Sequence, residues 1–312
     1  MNVVGSLAPV VLLVLLGVVL RRLRFVRPEF FRDSNRFAFW LALPALMIRE
    51  LAGTSIREQH VGGAMIVLVS ATAAAGLAAG LTRRAAGVGR ASAGTYIMTS
   101  FRGNLAFVGL PVILYATPAG GAASAASAAA ATLCLAPMMI LFNVVSVFLL
   151  SPTDPRAAAR GGGWVRPLAT NPLILSCLAG IAIAWARIPL PPPLMRTLGA
   201  LGATALPLGL LAIGAGLDFS RLKGAWRAPG WSAALKTLFA PAAGWLAARA
   251  IGLGPAETFI AIVFLSCPTA VNSYIMAQEM AGDEKLAGDA IVFSTVLSFF
   301  PLAAAVALFA PR

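Results

Sequence analysis

Charge is scarce in this chain, and negative charge is scarcer still. Only 11% of the 312 residues are charged, and only 11 are aspartate or glutamate. A soluble domain carries about 25% charged residues, so a water-exposed globule of this length is excluded. Histidine occurs once, as His60, between two apolar runs. The three cysteines, Cys134, Cys177 and Cys267, each lie inside an apolar stretch. They are not spaced as a ligand set, and they read as small buried hydrophobes. No metal and no cofactor is expected. An intramembrane enzyme would need a paired-aspartate, Ser/His or metal motif, and none is present. A receptor would be expected to carry a soluble sensing domain, and none is read in these residues.

What the chain does have is apolar sequence. Hydrophobic residues make up 59% of it and mean hydropathy is +0.87. Apolar runs of roughly 20 residues, separated by short basic clusters, predict an all-α polytopic membrane protein. The net charge of +13 does not indicate a nucleic-acid partner, because the basic residues are scattered between runs and not gathered in one stripe. The first run has no basic residue before it and is followed by Arg21, Arg22, Arg24 and Arg27. A secretory signal has the opposite order, so the run reads as a retained span with its N-terminus outside.

Ten spans are expected, at about 5–21, 36–53, 62–82, 91–117, 124–150, 168–186, 197–217, 229–250, 256–280 and 287–309. With the N-terminus outside, 16 of the 24 basic residues fall in cytoplasmic loops and 6 on the other side. This is the bias that orients membrane proteins. It places both termini on the extracytoplasmic side of the cell (inner) membrane. The other two, Arg102 and Lys236, sit in mid-span.

The stretch SPTDPRAAARGGGWVRP, residues 151–167, reads as a cytoplasmic linker. It separates residues 1–150 (spans 1–5) from 168–312 (spans 6–10). Five spans per half give the halves opposite orientations, as in an inverted repeat. An offset of 163–165 residues supports duplication. It matches Pro9 with Pro172, Pro28 with Pro191, Pro44 with Pro207, Pro137 with Pro301, Gly17 with Gly180 and Arg24 with Arg187.

The same offset lays Gly103 on Pro268 and aligns SFRGNLAFVGLP (100–111) with LSCPTAVNSYIMAQE (265–279). Each is the fourth span of its half, and each has a helix breaker near mid-membrane among small polar residues. Such breaks are tolerated in a bilayer only around a protein-lined cavity. Half-helix N-termini meeting there attract anions. Arg102, Gly103, Asn104, Pro268, Thr269, Asn272 and Ser273 are therefore candidate substrate-binding residues, joined by Lys236 and Asn143 from spans eight and five. Arg102 has two readings: it holds a substrate carboxylate, or it binds a carbonyl freed by the break. Lys236 either serves the site or snorkels and caps a neighbouring helix, and Asn143 either serves the site or bonds between helices. Pro44, Pro207 and Pro111 are expected to kink or line the cavity. No acid stands at mid-depth, which disfavours a cation/proton antiporter and favours an anionic substrate. Sodium or proton symport stays open, with Gln278 and Glu279 as a candidate ion site.

FRGNLAFVGLP and CPTAVNSYIMAQE, with the opening LGVVLRR and ALPALMIREL, resemble the auxin efflux carrier family, whose bacterial members include organic-acid permeases. The resemblance covers essentially the whole chain. It implies a five-plus-five inverted repeat with spans four and nine broken and crossed. It also implies a scaffold domain of spans 1, 2, 6 and 7, a transport domain of spans 3–5 and 8–10, elevator-type alternating access and a homodimer joined through the scaffold. The family's crossover asparagine falls on Asn104 and its second crossover proline on Pro268. Gly103 stands where plant members have proline, and the long plant loop is absent, so the expected cargo is a small organic anion, auxin-like or a dicarboxylate such as malonate.

Overall fold

The computed structural model describes residues 3–52, 61–117, 122–150, 172–216 and 226–310. His60 and the linker at 151–167 lie outside them. Of the cysteines, Cys134 and Cys267 are buried, and the Cys177 side chain is not among those described. All regular structure among the described residues is helical, apart from a single β-bridge.

The helices are α1 (Val3–Arg22), α2 (Pro28–Phe37), α3 (Leu43–Ala52), α4 (Gly62–Thr82), α5 (Ala93–Phe101), α6 (Leu110–Ala116), α7 (Ala122–Leu150), α8 (Pro172–Trp185), α9 (Pro192–Gly216), α10 (Arg227–Ala234), α11 (Ala240–Ala250), α12 (Pro255–Ser266), α13 (Asn272–Glu279) and α14 (Glu284–Phe309). Among the described residues, four stretches are long and apolar enough to cross a bilayer alone: Gly62–Thr82, Ala126–Leu150, Pro192–Gly216 and Glu284–Phe309.

The second helical segment starts at Pro28, well before the expected residue 36. Pro28 occupies the first turn, where its missing N–H costs nothing, and Glu29 suits the dipole there. The first ten residues are too polar to register as part of an apolar run, yet they form a helix.

Among the described residues, three π-helical turns interrupt the α-helices, at Ala38–Ala42, Leu105–Gly109 and Leu235–Phe239. Each ends two residues before a proline: Pro44, Pro111 and Pro241. A helix proline lacks a donor, and its ring collides with the carbonyl four residues back. That carbonyl lies inside the π-turn in all three cases. The wider turn re-pairs the backbone five residues apart, as in Leu43 N–H to the Ala38 carbonyl and Leu110 N–H to Leu105.

Two pairs of helix ends follow the offset found in the sequence. After α1, Arg24 adopts φ +52°, with Phe25 N–H bonded to the Leu20 carbonyl; after α8, Arg187 adopts φ +53°, with Ile188 N–H bonded to Ile183. After α4 and α11, Gly87 (φ +75°) and Gly252 (φ +66°) make the same turn, with Val88 bonded to Arg83 and Leu253 to Ala248. This is the Schellman cap, whose left-handed residue is most easily glycine.

The helices pack in two groups. In the first, α1 lies along α9, and α3 packs on α8 and α9. In the second, α4 packs on α5, α11 and α12, and α14 on α10 and α12. Contacts of α6 with α1, and of α7 with α3 and α8, join the two. The core is alanine-rich, with Ala71, Ala75, Ala131, Ala261 and Ala287 all buried. Small side chains let helix backbones approach closely.

Candidate functional site

The two expected breaks are present and they meet. The first helix stops at Phe101; Arg102 is extended (φ −76°, ψ 103°), and a π-turn restarts the chain at Leu105. The second stops at Ser266, and α13 begins at Asn272. Between them Gly103 and Thr269 form an isolated antiparallel bridge. Asn104 N–H donates to the Pro268 carbonyl at 2.8 Å, and Ala270 N–H to the Arg102 carbonyl at 3.0 Å. Backbone groups released by one break are thus satisfied by the other, which is what an apolar surrounding demands.

Several other half-helix carbonyls find partners outside their own ladder. At the first break Thr269 Oγ1 donates to the Thr99 carbonyl (2.9 Å), while Thr269 N–H donates to Ser294 Oγ (2.9 Å). At the second, Pro268 supplies no N–H to Phe264, and Cys267 N–H takes that carbonyl instead. Cys267 Sγ reaches the Val263 carbonyl. The Leu265 carbonyl would pair with Thr269 N–H in a continuous helix; here it accepts from Lys236 Nζ. Lys236 is only 1% exposed. Its Cε and Nζ lie 2.9 and 3.2 Å from where a Cβ on residue 103 would sit, so glycine at 103 leaves the space this ammonium occupies.

Arg102 is also buried. One terminal nitrogen donates to Ser146 Oγ (3.1 Å) and Met276 Sδ; the other donates to Asn143 Oδ1 (2.7 Å). Three of its five N–H groups are thereby used. Among the described residues neither Arg102 nor Lys236 has a carboxylate partner.

Beside the crossing lies a cavity of about 40 Å³. One water needs about 10–15 Å³, so about three waters fit. The cavity is lined by Asn35 and Phe39, from α2 and the π-turn after it, which both pack on α9, and by Arg102 to Phe107, Met139, Phe142 and Ala270 to Asn272. Asn104 Oδ1 accepts from Phe107 N–H (3.3 Å), capping the restart.

Of the residues expected to bind substrate, Arg102, Gly103, Asn104 and Asn272 line this cavity; Pro268, Thr269, Ser273, Asn143 and Lys236 do not. For the last two the second of the readings left open in the sequence is the one seen: Asn143 bonds between helices to Arg102, and Lys236 caps α12. Thr269 and Pro268 are used within the crossing itself. Ser273 Oγ is buried without a hydrogen-bond partner. Pro44, Pro207 and Pro111 are absent from the lining; Pro44 and Pro111 follow π-turns, and Pro207 lies within α9. Gln278 is exposed, and the Glu279 side chain lies outside the described residues. Asn35 and Phe39 were missed. For Asn35 the signal was the Pro-Glu helix start at Pro28, which carries the helix through it; Phe39 lay inside the expected second span.

Two comparisons bear on this arrangement. The profile of the family described as membrane transport protein matches residues 2–153 and 163–306. A protein of Rhizobium meliloti (strain 1021), named "Putative malonate transporter", is 28% identical over 315 residues, covering 95% of this chain and 92% of that protein.

Proposed function

The chain belongs to the auxin efflux carrier family of membrane transport proteins, and from that premise we propose that it is a secondary transporter of a small organic anion. The observation that carries this reading is the cavity lining, where Asn35, Asn104 and Asn272 accompany Arg102 and, among the described residues, no carboxylate is present. Carboxamide N–H groups and a guanidinium both donate to carboxylate oxygens. The name of the Rhizobium meliloti relative makes malonate the first solute to test. A cation/proton antiporter would lack its acidic ligand at this cavity.

In this reading the ten helical runs are ten spans in two inverted halves, and the paired helix caps support that symmetry. The group around α1, α3, α8 and α9 is the scaffold, through which two copies associate. The group holding both crossovers is the transport domain. It moves against the scaffold in an elevator motion, and the cavity, walled by both groups, opens to alternate sides. The basic loops keep the linker in the cytoplasm, with both termini outside the inner membrane.

Proteoliposomes carrying purified protein test the proposal. Labelled malonate is expected to enter, and Asn104→Asp is expected to cut uptake at least ~10-fold while keeping the fold. Aspartate caps a helix as well as asparagine, but it puts a like charge beside the anion. Undiminished uptake by Asn104→Asp would remove the site from consideration.

A further inference from the structure

The cavity residues come from two places that share one support. Asn35 and Phe39 belong to α2 and the π-turn after it, and both elements pack on α9. The crossing reaches α9 as well, through the π-turn Leu105–Gly109. At the middle of that turn stands Phe107, a buried residue of the cavity lining. Its ring is set against Gly209 of α9. A Cβ on residue 209 would lie 2.2 Å from Phe107 Cδ1 and 2.7 Å from Cε1, well inside van der Waals contact, so the missing side chain is what admits the ring. Two other close-packed glycines of α9 serve the first helix group itself: Gly202 meets Leu46 of α3, and Gly214 meets Val14 of α1. Gly209 instead receives the crossing. Phe107 also donates its N–H to Asn104 Oδ1 (3.3 Å). The ring on α9 and the carboxamide at the cavity are therefore held by one turn of chain, and fixing the first fixes the second.

We propose that Phe107 is a positioning residue: seated against Gly209, its ring sets the register in which Asn104 and Asn272 on the crossing meet Asn35 and Phe39 beside α9, and the seat must break for the crossing to move along α9. The proposal rests on the transporter reading of the cavity. The seat is discrete, because residues three and four apart share a helix face. From Gly209 those neighbours are Ala205, Leu206, Ala212 and Ile213, and each carries the Cβ that Gly209 lacks. A shift of one helical turn, about 5.4 Å, takes the ring out of its notch and onto one of them. The cavity as described is thus complete at one position of the crossing.

The test uses the full-length protein, with malonate binding measured in detergent and malonate uptake in proteoliposomes. Gly209→Ala is expected to weaken binding about 10-fold or more, the effect of misplacing one hydrogen-bonded group. Adding Phe107→Leu, a side chain that clears the new methyl group, is expected to recover part of that loss. A cysteine pair separates positioning from packing. Phe107 Cγ lies 3.3 Å from the Cβ position on residue 209, so Phe107→Cys with Gly209→Cys falls within reach of a disulfide. Oxidised with diamide, the pair is expected to bind malonate as tightly as when reduced but to take up none, and uptake is expected to return on reduction. Oxidised wild type is the control, Cys134 and Cys267 being buried. A contact that only packs would leave uptake by the oxidised pair equal to that of the reduced pair, and that result would overturn the proposal. Binding by Gly209→Ala equal to wild type would do the same, as would a pair that forms no disulfide. If Gly209→Ala does not fold, the cysteine pair still decides. If the wild type neither binds nor takes up malonate, the anion reading falls. The seat is then judged without substrate, by whether the disulfide forms and whether Phe107→Leu raises the unfolding temperature of Gly209→Ala; failure of either would remove it.

Discussion

Both interrupted helices lose the donors of their last carbonyls, and they replace them differently. The first crossover breaks at a glycine, carries its own cation, Arg102, and restarts through a π-turn capped by Asn104. Its cation points away from its own helix end, towards Asn143 and Ser146 on α7 and Met276 on α13. The second breaks at a proline, imports its cation from the turn between α10 and α11, and restarts at Asn272 with no side-chain cap. The two crossovers thus differ: one ties the crossing to neighbouring helices, the other neutralises a helix dipole in place. A proline that deletes a donor leaves a carbonyl in need of a strong one, whereas a glycine break leaves room for another residue's side chain.

The comparison can be broken most severely at Arg102. Arg102→Ala strands Asn143 and Ser146 in the interior and removes charge-assisted bonds, so a loss of about 3 kcal/mol is expected, with malonate binding abolished. A double-mutant cycle with Asn143→Leu should show coupling of roughly 0.5–3 kcal/mol, and additive losses would separate Arg102 from α7. Gly103→Ala comes next. Its Cβ displaces Lys236 from the Leu265 carbonyl, and overpacking of this kind costs about 1–3 kcal/mol. If Gly103→Ala in a Lys236→Ala background costs as much as it does alone, the two breaks do not share the ammonium. Thr269→Val removes the neutral cap of Thr99 and should cost about 1 kcal/mol in reversible unfolding, less than loss of the charged cap at Lys236. Ser273→Ala should leave stability within ~0.5 kcal/mol, because its hydroxyl has no partner to lose. A sharp fall in malonate affinity on that substitution would return Ser273 to the binding site.

The crossing was legible because Arg102, Gly103, Asn104 and Pro268 are conspicuous in apolar surroundings, and both breaks lie where those residues stand. Lys236 was open between the site and a helix cap, and the task of Thr269 was not legible, since their partners are backbone carbonyls at Leu265 and Thr99, which carry no mark in the sequence. Asn143 was open between two uses, and its bond to Arg102 spans 41 residues of chain, a distance that no local pattern encodes. Asn35 was hidden because helix α2 is polar over its first turns and hydropathy registers only the apolar part that follows, whereas Phe39 stood inside the expected second span, where an apolar side chain carries no mark of a cavity.

The π-turn at Ala38–Ala42 sets where those last two residues point. Each α-helical residue advances the chain by about 100° around the axis. Deleting one residue from that turn would restore ordinary winding and swing Asn35 by roughly that angle relative to α3. The carboxamide would turn off the cavity although every side chain at the wall had been kept. One wall of the cavity therefore depends on a count of residues as much as on their identity, and a single-codon deletion there should impair it more than most substitutions would.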